Sequence, residues 1–315
     1  MTTLVTGAGL IGRLTADLLA ARGDPVLLAD IRAPHASPHP FVTCDVTDAA
    51  ALDAVIAGHA IRRIIHTAAL LSTSIRQDPV LGIRVNVMGT ANVLDCARRH
   101  AITRVVCASS TTVAYTTFGR HDAAPIEEDN PLHLISERPA SIYAMSKIAG
   151  EHMALLYHDL YGLDVVVLRY GAVLGGGTEA PSSVPGRLLA RLAEGGRSGV
   201  PVALDDPFLA WGGREEFVDA RDCARANRAA LDAANPTQRV YNIAPGTWFS
   251  LPEFVAVVRE VFPRLDVALP PPLATGFAGF PHLRPAPSAT EAAARDLDFR
   301  CTFTLADTIR HWTAS

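Results

Sequence analysis

Short apolar runs rich in β-branched residues alternate along most of this chain with segments of helical periodicity. The runs are nearly continuous in apolar residues, which is typical of strands buried on both faces of a parallel sheet. They predict strands at residues 4–6, 26–30, 41–44, 63–67, 105–109, 165–170 and 240–243. Helices are predicted at residues 10–21, 49–57, 82–99 and 141–161. This order predicts an α/β fold built on a doubly wound parallel sheet.

A glycine-rich turn lies where the first predicted strand meets the first helix, and it reads Thr-Gly-Ala-Gly-Leu-Ile-Gly from residue 6 to residue 12. Gly7 permits a tight turn, Gly9 lets the backbone approach a pyrophosphate, and Gly12 lets helix and strand pack closely. The helix N-terminus adds unpaired N–H groups and a positive dipole end. The turn predicts a Rossmann-type dinucleotide site. Its predicted contacts are Gly7, Gly9, Leu10, Ile11 and Gly12.

The end of the second predicted strand carries an acidic residue, Asp30, 18 residues beyond Gly12. A carboxylate at this place can accept both hydroxyls of an adenosine ribose and would repel a 2′-phosphate. NAD is therefore favoured over NADP as the cofactor. Arg32 leaves the alternative open, because its guanidinium could pair with Asp30 or reach a phosphate.

Lys147 is the only lysine in a chain with 27 arginines, and it follows Tyr143 by four residues. Arginine cannot replace lysine where a compact ammonium must lie beside both a phenol and a ribose. A lone lysine placed at random would follow one of the six tyrosines in this way only about 2% of the time. On a helix, residues four apart share one face. Tyr143 and Lys147 are therefore expected in one cleft.

The sequence changes character after residue 170, where glycine-rich loops such as residues 174–177 appear, followed by a proline-rich stretch at residues 270–287. We predict a Rossmann domain formed by residues 1–171 with 217–245. A smaller substrate-binding lobe is predicted from residues 172–216 with 246–315. At 315 residues, one large domain or two closely joined ones is expected.

Composition argues against several classes of protein. The net charge of −4 and the scattered arginines give no basic surface for nucleic acid. The five cysteines are widely spaced and form no C-x-x-C pair, so neither a disulfide framework nor a metal site is indicated. No apolar run approaches membrane-spanning length, and no leader precedes the first strand, so we expect a cytoplasmic protein with no membrane partner.

In this order, the motifs resemble those of the extended short-chain dehydrogenase/reductases, and more narrowly the NAD-dependent epimerase/dehydratase family. They are Thr-Gly-x-Gly-x-x-Gly at residues 6–12, Asp30, His-Thr-Ala-Ala at 66–69, Asn-Val-Met-Gly-Thr at 86–90, Ser-Ser at 109–110 and Tyr-x-x-x-Lys at 143–147. The resemblance is close from residue 3 to about residue 169 and looser beyond. It specifies the family far better than the substrate.

The resemblance implies further cofactor contacts. Asp45 and Val46 would flank the adenine, Ala68 and Ala69 would line the cofactor, and Asn86 would support the chain beneath the nicotinamide. Tyr170 is also expected at the cofactor. Two alternatives stay open, since Asp45 could cap the following helix and Asn86 could be an internal hydrogen-bonding residue.

The resemblance also implies a catalytic triad. Tyr143 would be the acid/base, Lys147 would lower its pKa and bind the nicotinamide ribose, and Ser110 would bind the substrate oxygen. A free phenol with a pKa near ~10 is a poor base, and nearby positive charge favours the phenolate. Ser110 is preferred to Ser109 because it lies three residues before Val113; Ser109 is expected to be a strand-end residue bonded to backbone.

The chain departs from the family pattern at places that bear on its chemistry. Only Ala8 separates the first two glycines, so the phosphate turn is tighter. Thr111 and Thr112 stand where dehydratases carry an Asp-Glu pair, which argues against dehydration. Ala172 and Glu215 replace an Asn and an Arg found near the diphosphate in nucleotide-sugar enzymes, although Arg214 and Arg284 remain. The substrate-binding candidates are Leu71, Ser72, Thr111, Thr112, Ala172, Arg214 and Arg284.

We therefore expect an NAD-dependent oxidoreductase that oxidises a secondary hydroxyl of a sugar, sugar acid or similar polar hydroxy compound. A nucleotide-sugar epimerase of the UDP-glucose type would use the same triad, with the hydride returning to the other face of the keto intermediate. A non-catalytic NAD-binding sensor is the remaining alternative, because fold does not determine function. The long helices at residues 82–99 and 141–161 suggest a homodimer.

Overall fold

The structure is a computed structural model, and it describes residues 1–34, 37–122, 124–131, 141–176 and 181–314. The gaps include residues 132–140, which precede Tyr143, and residues 177–180 of the predicted glycine-rich loop and smaller lobe.

The described strands form three sheets. They are β1 (Thr2–Thr6), β2 (Val26–Asp30), β3 (Phe41–Thr43), β4 (Ile61–His66), β5 (Arg104–Ser110), β6 (Val165–Tyr170), β7 (Ala172–Leu174), β8 (Val202–Ala203), β9 (Phe217–Asp219), β10 (Val240–Ile243) and β11 (Val267–Ala268).

Helices flank these strands throughout the described chain. They are α1 (Leu10–Ala21), α2 (Ala49–Gly58), α3 (Ser72–Gln77), α4 (Pro79–Ile83), α5 (Thr90–Arg99), α6 (Ile142–Tyr161), α7 (Val184–Ser198), α8 (Ala220–Asp232), α9 (Leu251–Val261), α10 (Glu291–Leu297) and α11 (Leu305–Ala314). A π-helical turn spans Arg84–Gly89, and 3₁₀ helices span Thr111–Arg120, Pro207–Leu209 and Phe277–Gly279.

The main sheet has seven parallel strands in the order β10-β6-β5-β4-β1-β2-β3. The chain runs outward from β1 to β3 and then returns to place β4 on the other side of β1. The carboxyl ends of β1 and β4 therefore form the switch point at which ligands bind in such sheets. The predicted doubly wound α/β fold is confirmed.

Both faces of the sheet are packed with apolar side chains, which explains the continuous apolar strands in the sequence. Helices α1, α8 and α10 pack on one face, and α2, α5 and α6 cover the other. A separate apolar cluster, built around Trp211 and Phe254, draws its residues from 174–217 and 251–309. Helix α10 lies outside that cluster and packs against Tyr241 of the main sheet.

The helix predicted over residues 82–99 is interrupted. Helix α4 ends at Ile83, a π-helical turn follows, and α5 starts at Thr90. At the end of the turn, a Cβ on Gly89 would lie 2.7 Å from Cγ2 of Val46, so the backbone approaches the neighbouring segment closely. π-Turns of this kind are often found at functional sites. The apolar residues keep a helical period through residues 82–99, so the sequence does not show that the π-helical turn contains an extra residue.

Two features are absent from the described ranges. No helix there is long and apolar enough to cross a membrane. Within the same ranges, no group of three or more His, Cys, Asp or Glu side chains could hold a metal ion.

Candidate active site

The glycine turn is shaped by close backbone packing at two of its three glycines. Gly7 has a φ of +92°, and a Cβ there would lie 2.6 Å from the backbone nitrogen of Ala68. A Cβ on Gly12 would lie 1.9 Å from the carbonyl oxygen of Gly7. Gly9 precedes α1, and a Cβ there would meet no atom within 4 Å, so its outer side is open. The turn thus fits a pyrophosphate at the α1 N-terminus.

Asp30 lies at the end of β2, where its carboxylate meets the turn. Oδ2 accepts from the backbone N–H of Ala8 at 2.7 Å, and Oδ1 accepts from that of Ile31 at 2.7 Å. Arg32 is exposed, and the structure gives it no ion pair with Asp30. The carboxylate thus remains available at the ribose position. Ile31, which no sequence motif indicated, is 57% exposed beside it and offers an apolar surface to an adenine.

Asp45 and Val46 lie beyond β3 at the same edge of the sheet. The carboxylate of Asp45 accepts from Thr47 N at 2.9 Å and does not cap α2. Asp48 performs that role by accepting from the N–H groups of Ala50 and Ala51. The capping alternative for Asp45 is therefore wrong, because α2 begins at Ala49 and its N-cap is Asp48.

His66 ends β4 in a closed hydrogen-bonded position. Nδ1 lies 2.7 Å from Thr6 Oγ1, and Nε2 lies 3.1 Å from Thr90 Oγ1. The Thr90 hydroxyl itself donates to the Asn86 carbonyl, so it accepts from a protonated Nε2. Burial lowers the pKa of His66 to about 3, and the charge of Lys147 adds to the effect. His66 is a neutral structural residue. The chain continues from it through Thr67 to Ala68 and Ala69, which lie beside the glycine turn.

Asn86 is engaged inside the protein. Its Oδ1 accepts from Leu70 N at 2.8 Å, while Nδ2 donates to Leu70 O at 3.0 Å and to Ser146 Oγ at 3.1 Å. This matches the internal hydrogen-bonding alternative, because both polar atoms of the amide are used. Asn86 therefore joins the segment after β4 to helix α6.

Ser110, Tyr143 and Lys147 meet at the carboxyl end of β5. Ser110 lies close enough to Tyr143 to lower the pKa of its phenol. Lys147 Nζ donates to the carbonyl oxygen of Ala108 at 2.9 Å and lies 5.8 Å from the centre of the Tyr143 ring. Helix α6 presents Tyr143 and Lys147 from one face, because they are four residues apart. The first turn of α6 is capped by Ser141, whose hydroxyl accepts from Ala144 N. The predicted triad is thus brought together.

Burial has the largest effect on the pKa values of Tyr143 and Lys147. It raises the pKa of Tyr143 to about 12, while the hydrogen bond from Ser110 acts in the opposite direction. Burial also lowers the pKa of Lys147 to about 8, against the raising effects of Cys107 and Glu151. The expected lowering of the phenol pKa by Lys147 is not found in the chain alone, because the ammonium is directed at Ala108.

Ser109 differs from its expected role. Its hydroxyl donates at 2.5 Å to Oε1 of Glu151, a buried carboxylate on α6 that also pairs with Arg169 of β6. The expectation of a backbone-bonded Ser109 is wrong, because a buried carboxylate requires donors. Glu151 lies one helical turn after Lys147, a spacing that could have drawn attention to it.

Tyr170 is directed into the core. It is 4% exposed, and its hydroxyl donates to Asn227 Oδ1 at 2.6 Å. Asn227 in turn donates to Thr15 of α1. The Tyr170 phenol therefore satisfies a buried amide between α8 and α1, and Tyr170, at the end of β6, stays a predicted cofactor contact.

Four substrate candidates flank the triad. Leu71 precedes α3 and Ser72 begins it, and both are half-buried at the end of the β4 segment. Thr111 and Thr112 begin the 3₁₀ helix that follows Ser110. The Thr112 hydroxyl is buried without a hydrogen-bond partner, so a ligand atom could satisfy it.

Ala172 begins β7, and its N–H donates to Glu216 O at 3.1 Å, placing it opposite the start of β9. The two arginines expected near it are engaged elsewhere. Arg214 is exposed, donates to Glu253 and lies 5.8 Å above the Trp248 ring.

Arg284 is buried among carboxylates. Its Nη1 donates to Glu215 Oε1 at 3.0 Å, and Nη2 donates to Glu216 and to Ser288. Nε donates to Ala286 O at 3.0 Å. Arg284 is therefore held inside the protein by two glutamates, whereas Arg214 lies exposed at the surface, and both stay predictions as substrate residues.

A doubly wound sheet with a glycine turn at its switch point is typical of dinucleotide-binding enzymes, and the Tyr143–Lys147 pair on α6 is typical of the short-chain dehydrogenase/reductases among them. Residues 3–244 match the NAD dependent epimerase/dehydratase family. The chain belongs to that family, which confirms the expected family and NAD as the cofactor type.

Known relatives include dehydrogenases and epimerases. Mitochondrial L-threonine 3-dehydrogenase from Bos taurus is 30% identical over 281 residues, covering 84% of this chain and 69% of that protein. Uronate dehydrogenase from Pseudomonas putida is 35% identical over 174 residues, covering 54% of this chain and 60% of that protein. The structure of Thermus thermophilus UDP-glucose 4-epimerase with NAD has a TM-score of 0.80 and 26% identity, with 100% of both chains covered.

Proposed function

We propose that this enzyme is an NAD-dependent dehydrogenase that oxidises a secondary hydroxyl group of a sugar, a sugar acid or a similar polar hydroxy compound. The observation that carries the proposal is the meeting of Ser110, Tyr143 and Lys147 at the carboxyl edge of the sheet, two strands from the glycine turn. A uronate dehydrogenase and an L-threonine 3-dehydrogenase among the relatives support oxidation of a small polar alcohol.

Each residue of the triad has one proposed task. Ser110 donates a hydrogen bond to the substrate oxygen, and Tyr143 accepts the proton of the reacting hydroxyl. Because burial holds the pKa of Tyr143 at about 12, the phenolate needs positive charge close by, and Lys147 supplies it. NAD, when bound, supplies the hydride acceptor and a positively charged ring.

The proposed cofactor contacts follow the carboxyl edge of the sheet. The backbone of residues 7–12 would hold the pyrophosphate, with Leu10 and Ile11 beginning the helix. Asp30 would accept the adenosine ribose hydroxyls, and Ala68 and Ala69 would line the central part. The adenine would lie between Ile31 and the pair formed by Asp45 and Val46.

The arginine contacts favour dehydrogenation over nucleotide-sugar epimerisation. Binding of a diphosphate commonly uses the planar fork of arginine. Arg284 is held by Glu215 and Glu216, whereas the exposed Arg214 donates to Glu253. The buried arginine expected to bind a diphosphate is therefore occupied, which supports a smaller substrate.

The test is the amount of cofactor that leaves the freshly purified protein on denaturation. A dehydrogenase exchanges its cofactor at every turnover, whereas an epimerase need not. We expect a largely empty protein that binds added NAD and reduces it with a member of a panel of sugars, sugar acids and hydroxy acids. Near-stoichiometric retained cofactor, with turnover of a UDP-sugar and no net reduction, would establish the epimerase alternative.

We also propose a homodimer formed through α4, the π-helical turn and α6, which pack beside one another. This surface exposes large apolar side chains: Val80, Leu81, Ile83, Met88, Met145, Leu156, Leu160 and Tyr161. Exposed apolar patches of this kind mark protein interfaces. Light scattering should give twice the chain mass of 33.5 kDa, and Leu160→Glu should reduce that mass. A monomeric wild type would contradict the proposal.

Two further proposals concern organisation. The division into residues 1–171 with 217–245 and 172–216 with 246–315 is supported by the separate apolar cluster around Trp211, although α10 packs on the main sheet. A cytoplasmic location is supported by five free cysteines.

A further inference from the structure

Glu151 lies behind the triad, at the junction of three elements. It is 4% exposed on α6 and accepts from Ser109 Oγ of β5 at 2.5 Å. From β6, Arg169 donates to it through Nε at 2.9 Å and Nη2 at 2.7 Å. Ser109 and Arg169 are register partners in the sheet. One carboxylate therefore ties α6 to the carboxyl ends of both strands.

These contacts fix the strand end that serves the triad. Ser109 lies between Ala108, whose carbonyl accepts from Lys147, and Ser110, which lies close to Tyr143. Holding Ser109 in place therefore orients the partners of both Lys147 and Tyr143. A polar side chain held by neighbours in this way is what keeps catalytic groups at a fixed geometry.

Glu151 and Lys147 both line a small cavity, together with Asn86, Cys107 and Ser109. Because Glu151 is only 4% exposed, its charge is screened less than it would be in water.

We propose that Glu151 is a positioning residue for the Ser110–Tyr143–Lys147 group, fixing the end of β5 and keeping Lys147 in its ammonium form. This inference rests on the proposed function and adds to it a residue outside the triad. Glu151 acts through Lys147 and β5, and it touches neither substrate nor cofactor.

The other groups around Lys147 carry little compensating charge. Burial raises the pKa of Cys107 on β5 to about 12 and lowers that of His66 on β4 to about 3, so both are neutral at pH 7. Tyr143, on the same helix, is a neutral phenol in the absence of other charges, with a pKa of about 12. Arg169 on β6 is cationic and paired with Glu151. Cys107 and Glu151 both act to raise the pKa of Lys147, and Glu151 is the carboxylate of the two.

The charge on Lys147 determines in which direction the pH dependence of kcat should change. Lys147 has a pKa of about 8, so its ammonium is lost as pH rises through that value. Removing the Glu151 charge lowers the pKa of Lys147 further, because Glu151 acts to raise it. The alkaline limb of kcat should then move to lower pH, and a shift of one unit would reduce kcat at pH 8 about fivefold.

Because Lys147 is the only lysine in the chain, its pKa can be measured directly. Lysine labelled with ¹³C at Cε gives a single NMR signal, whose titration needs neither substrate nor turnover. We expect Glu151→Gln, which keeps a hydrogen-bond acceptor for Ser109, to lower the titration midpoint. Glu151→Asp, which keeps the charge, should restore the midpoint toward that of the wild type.

The matched control is Asp164→Asn. Asp164 pairs with Arg104 at 2.6 Å and Arg239 at 2.8 Å at the opposite end of β5 and β6. It should alter stability without moving the Lys147 midpoint.

Equal midpoints in wild type and Glu151→Gln, or an equal shift in Asp164→Asn, would overturn the inference. If Glu151→Gln does not fold, Glu151→Asp provides a second test. A Lys147 titration midpoint in Glu151→Asp that lies well away from the wild-type value would contradict the charge effect.

The two hypotheses fail in different ways. A wild type without turnover on any alcohol of the panel would reject the proposed function, while the NMR midpoints would still decide whether Glu151 controls Lys147. A shifted midpoint in Glu151→Gln with an unmoved alkaline limb of kcat would reject the positioning role and leave the dehydrogenase intact.

Discussion

Tyr143→Phe should lower kcat by about 10²–10⁴-fold, the range typical of a lost general acid–base group. The substitution removes one oxygen atom and leaves the ring in place beside Lys147, whose Nζ lies 5.8 Å from the ring centre. Binding of NAD should change little, because the proposed contacts with the pyrophosphate and ribose lie at the glycine turn and Asp30.

The measurement combines steady-state kinetics on the identified alcohol with a titration of NAD binding. Tyr157→Phe is the matched control, because Tyr157 lies on the same helix and stacks with Tyr161 at 5.2 Å, away from the triad. Its kcat should stay within about twofold of wild type. If Tyr143→Phe kept comparable turnover, the catalytic assignment would be wrong.

The fold could be predicted because its determinants are local in sequence. Strands such as β5 and β6 are buried on both faces, so each is an apolar run that can be recognised without knowing its neighbours. The glycine turn is also local, since the requirement for Gly7 and Gly12 arises from backbone contacts within the first βα unit and with Ala68. The π-helical turn before α5 was missed, because one extra residue in a turn hardly changes the apolar period.

The relative placement of the candidate residues could be predicted where spacing along one helix determined it, and could not be predicted where distant partners did. Tyr143 and Lys147 are four residues apart on α6, so a sequence motif places them together. The direction of Arg284 depends on glutamates 69 and 68 positions away. Ser109 likewise depends on Glu151, 42 positions later. A sequence shows that such residues are charged or polar, but not which of them meet inside the core.

Arg284→Met should destabilise the protein by about 3–5 kcal/mol, the cost typical of removing one partner from a buried ion pair. Arg284 is 5% exposed and is the cation beside two buried carboxylates, Glu215 and Glu216. Tyr115 also donates to Glu215 at 2.6 Å, but a phenol cannot neutralise the charge. Methionine fills similar space and leaves both carboxylates without a counter-ion.

Urea unfolding at pH 7 provides the measurement, and Arg214→Met is the control. Arg214 pairs with Glu253 at the surface, with both side chains more than 40% exposed, and exposed pairs contribute only about 0–1 kcal/mol. A loss in Arg284→Met no larger than that of the control would show that Arg284 does not stabilise the two buried glutamates.

The pH dependence separates lost charge compensation from lost packing. Burial already raises the pKa of Glu215 in the wild type, and Arg284 opposes that rise. Without Arg284 the folded-state pKa rises further above the unfolded value, so the folded variant binds more protons than its unfolded chain between those two values. Its stability therefore falls as pH rises through this interval. The deficit relative to wild type should shrink from pH 7 to pH 5, whereas a packing defect would give the same deficit at both.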